Sequence, residues 1–181
     1  TSEALLAFSI QLLTPSSPHW PASLGDLAAP PARLHLIGNA DLLSAPQGLV
    51  AIVGTRNSTN YGERVADSLG FAFASAGVPV VSGMARGIDA AAHRGALRGG
   101  GRTIAVLGTG VDIAYPTGHR ALHESIAAAG LLIAEQEPGS KAHAGSFPNR
   151  NRIIAALARL VIVVEAPHKS GAMNTVEQAL G

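Results

Sequence analysis

The 181 residues include no cysteine, which excludes disulfides and thiolate metal sites. Aromatic residues make up 4% of the chain, so aliphatic side chains must fill the core and stacking surfaces are few. No apolar run reaches the roughly 18–20 residues that span a bilayer. Leu5, Leu6, Phe8, Ile10, Leu12 and Leu13 lack the basic flank of a signal peptide. Net charge is only +1, so nucleic-acid binding would require cations gathered locally. Together these absences fit a cytoplasmic protein with no membrane segment.

What is present is ample core material, 47% apolar against 14% charged residues, enough for one full domain. Residues 1–14 read as the end of a helix, and residues 15–47 carry six prolines and one strand at Leu34–Ile37. Residues 1–47 are therefore expected to be a lead-in packed on a main domain of residues 48–181, with Trp20 as its anchor. From Leu49 onward, short apolar runs (Leu49–Val53, Val78–Val81, Thr103–Leu107, Leu131–Ala134 and Val161–Val164) alternate with helical stretches. That pattern predicts an α/β fold, a doubly wound, mostly parallel sheet of extended Rossmann-like type with helices on both faces.

In such a sheet ligands sit beyond the carboxyl ends of the strands. The loops expected there are Gly54-Thr55-Arg56 to Gly62, Ser82-Gly83-Met84-Ala85-Arg86-Gly87, Gly108 to Pro116, the segment from Lys141 to Arg152, and Lys169-Ser170-Gly171. Arg56, Arg86, Lys141, Arg150, Arg152 and Lys169 would share one rim, offset chiefly by Asp89, Asp112 and Glu137. The glycines of the Ser82–Gly87 turn would let backbone amides point inward, as an anion nest requires. Phe147-Pro148 reads as a loop, with Arg150, Asn151 and Arg152 in the first turn of the next helix. Cations there oppose the helix dipole, so the turn either holds a phosphate or pairs its arginines with Glu135 or Glu137.

Other chemistries fit poorly. Gly108-x-Gly110 is followed by Ile113 where a dinucleotide fingerprint needs glycine, and Lys169-Ser170 has no upstream G-x-x-x-x-G. Ser82 sits in no nucleophile elbow, and His123-Glu124 lacks the second histidine of a zinc motif. His93 has no obvious carboxylate partner and reads as structural, while Glu165 reads as a base, a partner for a rim arginine or a helix cap. No cofactor is expected. A polyanion laid across the rim is favoured, its phosphates held by the cations and its bases stacked on Phe147, with Tyr61 and Tyr115 either platforms or packing residues.

Four ordered blocks carry a resemblance: Gly54-Thr55-Arg56 with Ser58 and Tyr61-Gly62; Ser82-Gly83-x-Ala85-x-Gly87-Ile88-Asp89 with Ala92-His93; Phe147-Pro148-x-Arg150-Asn151-Arg152-Ile153-Ile154; and Val163-Val164-Glu165-Ala166 with Lys169-Ser170-Gly171-Ala172. Over about residues 20–181 the chain resembles the DNA processing protein A (DprA/Smf) family. The resemblance implies a non-enzymatic protein of natural transformation that binds and protects single-stranded DNA, helps load the RecA recombinase and forms a homodimer. Together with the shared rim of loops it marks Gly54, Thr55, Arg56, Ser82, Gly83, Arg86, Gly87, Lys141, Phe147, Asn149, Arg150, Asn151, Arg152, Lys169 and Ser170 as DNA-binding. Family chains continue past the last helix, so the C-terminal part of that architecture is expected to be missing here. The alternative is a nucleotide-binding hydrolase of the related Rossmann-like phosphoribohydrolase type, whose P-G-G-x-G-T-x-x-E loop has an echo in Ser170–Glu177. That echo lacks two glycines and places Glu177 one residue too close to Thr175.

Overall fold

Each short β-branched run becomes a strand, because side chains on both of its faces find apolar helices to pack against. The computed structural model describes residues 9–143, 145–167 and 171–180. Its strands are β1 (Gln11–Leu13), β2 (Leu34–Gly38), β3 (Val50–Val53), β4 (Val80–Ser82), β5 (Thr103–Leu107), β6 (Leu131–Ala134) and β7 (Leu160–Val163). The α-helices are α1 (Asn60–Ser75), α2 (Ile88–Arg98), α3 (Arg120–Ala129), α4 (Ser146–Leu157) and α5 (Gly171–Leu180).

Among the described residues the strands form one sheet in the order β1-β2-β6-β5-β4-β3-β7. The run β6-β5-β4-β3-β7 is parallel, and β2 and β1 extend it antiparallel. The pleat sorts the core into two layers. Ala51, Val53, Val81, Ile104 and Val106 face Ile153, Ile154 and Leu157 of α4 and Ala172 of α5. On the other face, Val50, Ile52 and Val80 meet Ala66 and Ala74 of α1 and Ala91, Ala92 and Ala96 of α2. Ala105, Leu107 and Leu132 meet Ile126 and Ala127 of α3 on that side. Alanine and glycine at these contacts let backbones close in: a Cβ on Gly95 would lie 1.9 Å from the Asp67 carbonyl oxygen of α1. The expected doubly wound α/β architecture is present.

The lead-in differs from expectation. Residues 11–13 are a strand, not a helix end, and pair with β2 in the register Gln11↔Leu36 and Leu13↔Leu34. Leu12 and Leu13 suit either period, and the free edge of β2 offers the backbone partners that decide between them. β2, near the expected strand at 34–37, pairs along β6, so β1 and β2 continue the sheet, while Leu24 and Leu43, from the turns between, pack with Leu13, Leu34 and Leu36 into the α4 layer. Trp20 packs against that layer, as expected of an anchor. Residues 1–8 lie outside the described part.

His93 is sealed between α2 and β5. Its Nδ1–H donates to the Thr103 hydroxyl (2.6 Å), which donates onward to the Val80 carbonyl (3.1 Å). Burial lowers its pKa to about 3, and burial also lowers that of His123, whose Nε2 donates to the Val111 carbonyl. The unfolded chain protonates His93 near pH 6.5 while the folded chain does not until about pH 3. Proton uptake therefore favours unfolding below pH 6.5, and the stability from the neutral imidazole is lost as pH falls toward 3. Burial pushes the Asp89 carboxyl up and works the opposite way, so a difference measurement is needed. In urea titrations the stability gap between the wild type and His93→Gln should shrink between pH 7 and pH 5, by up to about 1.4 kcal/mol per pH unit. A constant gap would contradict neutral burial.

Candidate nucleic-acid interface

Strand order reverses at β3, whose neighbours are β4 on one side and β7 on the other. Loops leaving the two sides of such a point diverge to opposite faces and open a crevice beyond the carboxyl ends. Here it is a cleft of about 480 Å³, with a floor of Gly54, Asp89 and Arg150 and walls from α4 and the first turn of α5.

The loop after β3 is fixed at both ends. The Thr55 amide donates to the Glu165 carbonyl (2.7 Å), and its hydroxyl oxygen accepts from the Asn57 amide (3.2 Å). At the far end Thr59 caps α1, accepting from the Gly62 amide (3.0 Å). Glu165 is a helix-cap partner: its carboxylate accepts from the Thr59 amide (3.1 Å) and hydroxyl (3.0 Å). Between these anchors Arg56 is exposed, with its guanidinium carbon 5.0 Å from the centre of the Phe147 ring.

The loop after β4 turns its polar groups inward. The Ser82 hydroxyl is buried and donates to the Ile52 carbonyl (2.6 Å), so it is not available to a ligand. The Gly83 and Ala85 amides do converge on an anion, but the anion is the chain's own Asp89 carboxylate, at 3.1 and 3.4 Å. The expected nest is thus already filled. Gly87 is needed for closure: its φ is +75°, and a Cβ would lie 2.4 Å from the Thr55 carbonyl oxygen. Arg86 is exposed at the crest of the turn.

Helix α4 starts at Ser146, and Pro148 stands inside its first turn, where a missing N–H costs nothing. Phe147-Pro148 is therefore helix rather than loop, and Arg150 and Arg152 fall in the second turn. Neither lies free at a helix N-terminus. Arg150 is 5% exposed, and its Nη1 donates to the carbonyls of Gly83 (2.6 Å) and Val106. Burial lowers its pKa to about 10 against the opposing pull of Asp89, and it stays a cation at neutral pH. Gly83 is glycine because a Cβ would sit 2.5 Å from the Arg150 guanidinium carbon. Arg152 donates from Nη2 to both oxygens of Glu135 (2.7 and 2.9 Å), the pairing the sequence left open. Asn151 bridges α4 to α5 through the Gly171 carbonyl (3.2 Å) and Asn174 Oδ1 (3.4 Å), and Asn149 is exposed.

Thus Gly54, Thr55, Arg56, Phe147, Arg150 and Asn151 line the cleft together. Gly83, Arg86 and Tyr115 line a small hollow beside it that shares Arg56, Phe147 and Arg150. Tyr115 is 44% exposed, its ring centre 5.2 Å from that of Phe147, whereas Tyr61, at 70% exposure, lines neither. Lys141 is exposed but lines neither space, on a loop pinned by the Gly110 amide to Ser140 and the Gly139 amide to Asp112. Lys169 and Ser170 lie outside the described residues. The carboxylates expected to offset the rim are committed elsewhere: Asp89 to amides, Asp112 to Gly139 and Glu137 to Arg33. Sequence reasoning missed Asn174 and Thr175 as cleft residues and Asp89 as the occupant of the nest. The signal for Asp89 was its place just after Gly87, in the first turn of α2.

A family model described as DNA recombination-mediator protein A matches residues 11–181. The chain belongs to that family. Protein Smf of Synechocystis is 48% identical over 171 residues, 93% of this chain and 43% of the relative. The X-ray structure of DNA processing protein A from Streptococcus pneumoniae superposes with a TM-score of 0.88 at 38% identity, over 95% of this chain and 60% of that one. DNA processing protein A from Helicobacter pylori, whose structure concerns its single-stranded DNA binding mode, gives 0.85 at 35% identity over 93% and 76%. The chain spans less than half the length of the Smf relative. No helix among the described residues is long and apolar enough to cross a membrane.

Arg150 and Arg56 should separate cleanly in unfolding measurements. Arg150→Ala leaves Asp89 buried without its counter-charge and should lose about 3 kcal/mol or more. Arg56→Ala, on the surface, should stay within about 0.5 kcal/mol of the wild type. Equal losses in urea melts would contradict this division.

Proposed function

We propose that this domain binds single-stranded DNA along the carboxyl edge of its parallel strands, as part of a recombination mediator acting in natural transformation. The observation that carries the reading is Arg56, exposed and without a carboxylate partner among the described residues, lying over Phe147 at the mouth of the cleft beside Arg86 and Tyr115. Exposed guanidinium groups take phosphates, and an aromatic face beside them takes a base, with roughly 1–3 kcal/mol per stacked base. Duplex DNA hides its base faces, so single strands should bind more tightly. The buried groups below (Asp89, Arg150 and Asn151) hold the shape of the site, while Lys141 extends the positive edge along the sheet. Membership of the recombination-mediator family supports the same reading, as does the single-stranded DNA binding of the Helicobacter relative.

On the same support we propose that the protein works in the cytoplasm as a homodimer and helps load the RecA recombinase. The site is read as binding without catalysis. Glu177, the carboxylate on which the hydrolase alternative depends, is exposed on α5 and does not line the cleft. Incubation with nucleoside monophosphates should release no free base.

Fluorescence anisotropy with single- and double-stranded oligonucleotides at several salt concentrations tests the main reading. Arg56→Ala and Arg86→Ala should each weaken binding alike for all sequences and reduce the salt slope by about 0.7. Unchanged affinity and slope in both variants would move the DNA path away from this edge.

A further inference from the structure

Folds of this class hold nucleotide phosphates at two kinds of place, the N-terminus of the helix after the first parallel strand and the amide-rich turns beside it. In this chain both are occupied by its own carboxylates. Glu165, carried in from β7 across the switch point, lies against the first turn of α1. Its carboxylate accepts from the Thr59 amide and hydroxyl, and a Cβ on Gly62 would fall 2.1 Å from its Oε2. Gly62 is glycine, in other words, where a carboxylate needs the room. Asp89 fills the second place, accepting from the Gly83 and Ala85 amides with the Arg150 guanidinium nearby.

We infer that Glu165 and Asp89 are specificity-determining residues: they stand in for phosphate at the fold's two anion positions and so exclude orthophosphate, mononucleotides and dinucleotides. Resting on the DNA-binding reading, this names what the site refuses. A free nucleotide depends on one tightly held phosphate group, and here the Thr59, Gly83 and Ala85 amides already face carboxylate oxygens, while the Gly62 amide is taken by the Thr59 hydroxyl. A polynucleotide needs no such pocket, since several phosphates can share the outer cations and its bases can stack on the rim. The two carboxylates thereby keep abundant small nucleotides from competing with a strand for the same edge.

The test uses Glu165→Ala, which removes the charge and opens room against Gly62, with Glu165→Gln as a control that removes the charge but fills the space. Asp89→Ser is a second, independent variant. Melting temperatures are recorded against rising inorganic phosphate, AMP and NAD, and the same compounds compete with a fluorescent oligonucleotide in anisotropy. The wild type should show no phosphate-dependent rise in melting temperature and no competition. Glu165→Ala should gain at least about tenfold in phosphate and AMP affinity, with a rising melting temperature, and Glu165→Gln should gain little. The inference is overturned if folded Glu165→Ala responds no more than the wild type, or if the wild type itself takes AMP. Should the wild type fail to bind the oligonucleotide, the DNA reading falls, while the melting series still decides what the two carboxylates do.

Discussion

The grip of buried Asp89 and Arg150 on the one turn they share is the constraint on which the site depends. Arg150, on α4, reaches under the Gly83 turn and bonds to carbonyls at the ends of β4 and β5. Asp89, on α2, gathers the amides of that same turn from the opposite side. One turn is therefore clamped between a cation that takes its carbonyl and an anion that takes its amides. Both side chains are nearly sealed from water, and a buried ion without an opposite charge nearby is costly, so the turn depends on both. Helices on opposite faces of the sheet are locked to one loop at its edge, and the cleft between β3 and β7 inherits its shape from that lock.

With the interior charges satisfied, the surface ones are set apart. Carboxylates that could have neutralised the rim are drawn into local bonds: Glu135 to Arg152, Glu137 to Arg33, Asp112 to the Gly139 amide. Arg56 and Arg86 are left facing solvent, and a chain of net charge +1 still presents a positive edge. Local charge here comes from pairing geometry and not from composition.

Much of this was legible from residue order. The parallel strands and their helices follow from short β-branched runs between helical stretches, and the shared edge follows from the rule that ligands sit beyond carboxyl ends. Arg56 and Phe147 were legible because each sits in a short loop or helix start that has only one edge to face. The sequence was silent where partners are distant. Whether residues 11–13 are helix or strand is decided by the free edge of β2, which no local window contains. Arg150 and Arg152 are two residues apart and look alike on paper. One is buried on carbonyls and the other pairs with Glu135, since successive even positions on a helix point about 200° apart. The expected inward amides were real, but their ligand was a side chain six residues along the same turn and helix.

Phe147 shows how a chain with so few aromatics can still hold a ring at the wall of its cleft. Its ring lies among Arg56, Arg150 and Tyr115, one cation exposed, one buried and one aromatic neighbour. The buried contact fixes the ring, because Arg150 cannot move without breaking the clamp on the Gly83 turn. The exposed contact is replaceable: among the described residues Arg56 has no carboxylate to hold it, and it keeps its place over the ring through a cation–π attraction of about 0.5–1 kcal/mol at an exposed site. If a strand binds here as proposed, a base stacked on the ring gains more than that, and its phosphate offers the displaced guanidinium a stronger partner than the ring did. On the proposed reading a single arginine would shield the ring when the site is empty and grip the strand once a base has taken its place. That exchange works only while Arg150 stays fixed beneath it, which ties the surface chemistry back to the buried pair.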